Sequence, residues 1–183
     1  QTSSFYFQDV IDPGSTNFIA LASVGFMLSA LGILNGQLLI ADRLQTSPGS
    51  LIRLGILFIF FALIGVANST SLVHIYISLF FYGLGGGMLG PGISASLSLS
   101  VGKENQGSAS GFLGMVIPIG HVISPIISMP LYTINPSYPY LLGSSLMLFC
   151  LMFVLTNGRH KWIRKKNYRE DYRTYTEEPP DLP

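Results

Sequence analysis

Two long stretches without a single Asp, Glu, Lys or Arg, 54–102 and 105–158, constrain this chain more than any other feature. A helix crosses the hydrocarbon of a bilayer in about 20 residues, so each stretch has room for two crossings. A water-soluble fold would need a solvated surface. At 10% charged against 49% apolar residues, with a mean hydropathy of +0.49, this chain has too little charge to make one. The expectation is an all-α membrane protein with five transmembrane helices at about 18–40, 51–67, 72–97, 109–132 and 140–156.

The remaining segments divide into a lead-in and a tail. Residues 1–17 are polar and aromatic, with a turn at Asp12-Pro13-Gly14-Ser15, and lack the basic start and apolar centre of a signal peptide. They are expected to be extracytoplasmic, and Gln1 to be a cut end that follows a missing helix. The loop 41–53 is expected to be broken by Ser47-Pro48-Gly49, with the second span starting inside it near Leu51. Residues 158–183 form a charged tail rich in Tyr and Pro. Its HKWIRKKNYR stretch is read as a positive stop at the end of the last span, not as a nucleic-acid or headgroup patch.

Basic residues near membrane ends stay on the cytoplasmic side. With five spans, Arg43, Arg53, Lys103 and all the lysines and arginines of the tail fall on one side, and none on the other. The N-terminus is therefore expected outside and the C-terminus in the cytoplasm. The opposite side carries Asp9, Asp12, Asn68, Ser69, Thr70 and an expected aromatic belt of Tyr132, Tyr138 and Tyr140. Asn68-Ser69-Thr70 fits a glycosylation acceptor, but it lies too close to the bilayer for use to be expected.

Glycine is concentrated where a soluble helix would avoid it. Gly83, Gly85, Gly86, Gly87, Gly90 and Gly92 lie within ten residues, beside Pro91. In water each costs a helix about 1 kcal/mol relative to alanine. In lipid, where helices associate by close backbone approach, small residues four apart offer a contact face. Gly83/Gly87, Gly86/Gly90 and Gly107/Gly111 are expected to act this way. The run contains no lysine placed to hold a phosphate, and no metal-ligand spacing or nucleophile-base pair is visible, so no cofactor or metal is expected.

Several of these stretches resemble motifs of the major facilitator superfamily, in particular the C-terminal half of its drug:proton antiporter branch. Residues 36–44, GQLLIADRL, resemble a weakened Gly-x-Leu-x-Asp-Arg cytoplasmic loop, with Gly36, Asp42 and Arg43 as its matching positions. FYGLGGG at 81–87, through Pro91, resembles the glycine-rich tenth helix. QGSASG at 106–111 resembles the start of the eleventh, and Ser124-Pro125 with Tyr132 resembles its later Gly-Pro and Tyr. The chain departs from the pattern in lacking the Gly-Arg-Arg end of the loop motif, in Ser124 replacing a glycine, and in Leu79, where the first-half copy carries a buried arginine.

The resemblance implies helices eight to twelve of a twelve-helix fold. It also implies secondary transport of a small molecule by alternating access, possible coupling to protons, and partnership with the N-terminal half of the same transporter in a plasma or inner membrane. Among the chain's own residues, His121 is the polar group most expensive to bury, because it falls near the middle of the fourth span. It is the first candidate for proton or substrate contact, followed by Asn35, Gln37 and Tyr82. Gly114, Ile117, Pro118, Ser124, Pro125 and Ser128 share its helical side. Gly83, Gly85, Gly86, Gly87, Pro91, Gly107, Gly111 and Pro125 are candidates for helix packing. A membrane-embedded enzyme would need acids within its spans, and there are none. A structural or assembly subunit is the remaining alternative.

Overall fold

The computed structural model describes residues 2–11, 17–41 and 47–157. Among these there is no strand. The elements are α1 (Ser3–Tyr6) with a π turn at Phe7–Ile11, α2 (Phe18–Asn35) with a π turn at Gly36–Ala41, then α3 (Pro48–Ala67), α4 (Leu72–Ser100), α5 (Gln106–Ile134) and α6 (Tyr138–Asn157). All but α1 are long and apolar enough to cross a membrane. Phe26, Met27, Phe61, Val122, Ile126 and Phe149 are among the large apolar side chains on their outer faces. In water such surface would drive aggregation; against lipid it has no cost.

Local chemistry sets the helix ends. α3 starts at Pro48, earlier than Leu51, because Ser47 is extended and proline is pre-set for the first helical turn, where a missing N–H loses nothing. The Ser-Pro pair therefore starts the helix. At its other end Asn68 folds its amide back onto the Ile64 carbonyl at 2.8 Å. α4 starts where the Ser71 hydroxyl accepts the His74 N–H at 3.3 Å. Asn135 closes α5 and receives the Ser137 N–H on Oδ1 at 2.9 Å, which turns the chain into α6. Arg53 bends towards the start of α3, donating to the Gly49 carbonyl at 3.1 Å and to the Ser50 hydroxyl at 3.3 Å.

α4 is the centre of the bundle, with α2 along one side and α3 along another, and α6 packs on the far side of α3. Glycines make both α4 contacts close. A Cβ at Gly83 would strike the Ser29 carbonyl of α2, and one at Gly87 the Ile33 carbonyl. On the α3 side Gly85 and Gly55 face each other: a Cβ on either would stand 2.7 to 2.8 Å from the other's carbonyl oxygen. Gly86 was expected to pack in the same way, but no atom lies within 4 Å of its Cβ position, because it points between the two partner helices. Gly107 and Gly111 are likewise open, since α5 buries no residue at all.

The residues 2–11 are not a polar lead-in. Tyr6 and Phe7 are fully buried, in a cluster with Ala22, Val66, Ala67, Ile75, Leu79 and Tyr140 at the end of the bundle. The Tyr6 hydroxyl donates to the Ser69 carbonyl at 3.2 Å, and its ring meets Tyr140 edge-on at 5.3 Å. Thr2 donates to the Tyr140 hydroxyl at 3.3 Å. Tyr140 and Ser69, expected to face the interface, are therefore sealed beneath this cap. Aromatic burial belongs at the ends of the helices, where water supplies a hydrophobic driving force; between spans there is none, and small residues take over.

Candidate functional site

A cleft of about 310 Å³ opens between α4 and α5 at the end opposite the cap. Its polar lining comes from two pairs spaced four apart, Ser94 and Ser98 on α4, and Gln106 and Ser110 on α5; Leu97, Leu113, Gly114 and Ile117 supply apolar walls. Four-residue spacing puts each pair on one helical face. The SASLSLS run at 94–100 carried this signal. Serine at every second position looks like a strand pattern, but read at helical period it gives two pairs, Ser94/Ser98 and Ser96/Ser100, of which only the first lines the cleft. Gln106 and Ser110 belong to the QGSASG motif but were not singled out as site candidates, and neither were Ser94 and Ser98.

Towards the cap each helix continues one face of this lining. On α4, Leu97, Gly90 and Gly86 recur at seven and eleven residues; on α5, Ser110, Gly114, Ile117 and His121 recur at four, seven and eleven. Each set therefore forms one face. No atom lies within 4 Å of a Cβ built at Gly86, Gly90 or Gly114.

His121 is exposed on α5 and hydrogen-bonds to none of the described residues. Tyr82 is 44% exposed on α4, one turn from Gly86 towards the cap. Asn35 donates its amide to the Leu31 carbonyl of its own helix at 2.8 Å. Gln37 is exposed in the π turn after α2. Of the four candidates, only His121 and Tyr82 fall on the helical faces that continue from the cleft. Pro91 lies inside α4, and Pro118, Pro125 and Pro130 lie inside α5. Each proline leaves the carbonyl four residues earlier without its helical donor, and for Pro125 that carbonyl belongs to His121. A Cβ on Gly36 would stand 2.6 Å from the Leu84 carbonyl oxygen, so Gly36 packs closely on α4, while its loop partners Asp42 and Arg43, like the basic tail 158–183, lie outside the described residues.

No three His, Cys, Asp or Glu side chains come together among the described residues. The cleft is thus uncharged, lined by hydroxyls, one amide and aliphatic walls, with a single imidazole further along α5. Such a surface offers neutral hydrogen bonding and apolar contact. No curated protein matches the chain. The family model described as Major Facilitator Superfamily matches residues 4–178.

Proposed function

The chain belongs to the Major Facilitator Superfamily, an integral multi-pass membrane protein of a transporter family, and from that premise we propose that it moves a small molecule by alternating access. The observation that carries this reading is the hydroxyl-lined cleft between α4 and α5, whose α5 face continues at helical period to His121. A polar cleft between two spans gives a solute somewhere to bind, and helices that rock against each other would open it to either side. We place the cleft end in the cytoplasm and the cap end outside, on the strength of Arg53 and Lys103 at the cleft end and of the charge pattern along the sequence. The proposal extends to proton-coupled efflux of the antiporter and multidrug type, supported by the motif resemblances and by His121, since histidine is the side chain that ordinarily changes charge near neutral pH. The lipid bilayer and the N-terminal half of the same transporter are its proposed partners.

Cysteine accessibility tests this without knowledge of the substrate. In the full-length protein with Cys150→Ser, a cysteine at exposed Thr70 is expected to react with an impermeant maleimide only from outside, and one at exposed Asn105 only from the cytoplasm. Ser69 is unsuitable because the cap buries it. A cysteine at His121 is expected to react from both sides, with reaction from one side protecting against the other. Reaction at position 121 from a single side would remove alternating access, and reversed labelling at 70 and 105 would remove the orientation.

A further inference from the structure

We infer that Asp9 and Tyr132 form a releasable latch that holds the cap-end half of α5 against the bundle, and that the latch opens when α5 moves. The inference rests on the alternating-access reading above. The cap is tied to its other neighbours by buried bonds. Tyr6 donates to the carbonyls of Ala67 and Ser69, and Thr2 donates to Tyr140, all away from water. Its bond to α5 is different. The Tyr132 hydroxyl donates to Asp9 Oδ2 at 2.9 Å in an exposed position, and the Tyr132 ring leans on Phe5 with centroids 6.3 Å apart.

A buried bond must be replaced by nothing when it breaks, whereas an exposed one is replaced by water, so only the exposed bond opens at small cost. The helix it holds is the one best able to move. α5 buries no residue, and three of its positions are prolines that interrupt the internal hydrogen-bond ladder. The cap is therefore fixed to α3, α4 and α6 and attached reversibly to α5. Asp9 and Tyr132 act as positioning residues, setting where α5 rests at the cap end, away from the cleft.

Spin labels on Thr70→Cys and Ile134→Cys, in the full-length Cys150→Ser protein, read the separation of α5 from the α3–α4 connector at the cap end. Tyr132→Phe keeps the ring and removes the donor; Asp9→Ala removes the acceptor. Each is expected to raise the population with the longer separation about three- to tenfold, the range for losing one hydrogen bond, and the double variant is expected to go no further than either single one. Thermal unfolding should change little, because both groups are accessible to water. Variants with the wild-type distribution, or single effects that add in the double variant, would overturn the latch. A wild-type protein with only one separation counts against alternating access instead, and the variants still decide the latch by whether a second separation appears.

Discussion

Gly83→Ala is expected to prevent stable assembly of the bundle, although it adds only one methyl group. The new Cβ would enter the Ser29 carbonyl of α2, with the Ser29 carbonyl carbon at 2.7 Å and its Cα at 2.9 Å. All three atoms are backbone, so no side-chain rotation makes room, and α2 and α4 must separate along their length. Overpacking of this kind costs about 3 kcal/mol or more when the wall cannot yield, well above the roughly 1 kcal/mol that alanine gains over glycine as a helix former. Gly87→Ala meets the Ile33 backbone and should behave alike. Gly86→Ala, one position away, has open space and should leave stability unchanged. Full-length variants purified in mild detergent and followed by size-exclusion profile and thermal midpoint would check the contrast. Normal profiles for Gly83→Ala and Gly87→Ala would mean that α2 and α4 do not meet at this face.

That contrast marks how far the sequence could be read. The spans were legible because a charge-free run of sufficient length has few uses other than crossing lipid. Which glycine faces which helix was not, since Gly85, Gly86 and Gly87 are chemically identical and are distinguished only by 100° steps around α4 relative to two partners. On α5, Gly107 and Gly111 have the right spacing for a contact, but spacing on one helix does not say which helix presses on it, and none of the described residues does.

The aromatic character of residues 1–17 was legible, but its place was not: nothing in the sequence shows that Phe5-Tyr6-Phe7 turns back onto the bundle beside Ser69 and Tyr140. The rings of Tyr6 and Phe7 are buried, and that of Phe5 touches Tyr132. The cleft was missed because serine in a transmembrane helix so often bonds back to its own carbonyls, as Ser100 does to Leu97 at 2.8 Å. Only the facing pair on α5 sets Ser94 and Ser98 apart. His121 could be singled out beforehand because an imidazole within a span is costly on any face.

His121→Ala is expected to lower transport by about tenfold, the loss associated with one strong hydrogen bond to a bound group, while membrane expression and thermal midpoint stay near wild type. The second half of this expectation follows from the structure: His121 is exposed, belongs to a helix without buried residues and holds no described residue in place. Its removal opens no cavity and strands no partner among the described residues. The first half follows from the cleft. His121 is the one imidazole on the α5 face of Ser110, Gly114 and Ile117, three residues that line the cleft. On the alternating-access reading, a solute or proton moving along this face meets the imidazole. His121→Gln separates the two roles, because it keeps neutral hydrogen bonding and loses titration. If the imidazole binds solute, glutamine restores uptake; if it carries protons, glutamine matches alanine and the pH dependence of uptake flattens. Transport equal to wild type at every pH in both variants would place His121 against lipid and take it out of the path.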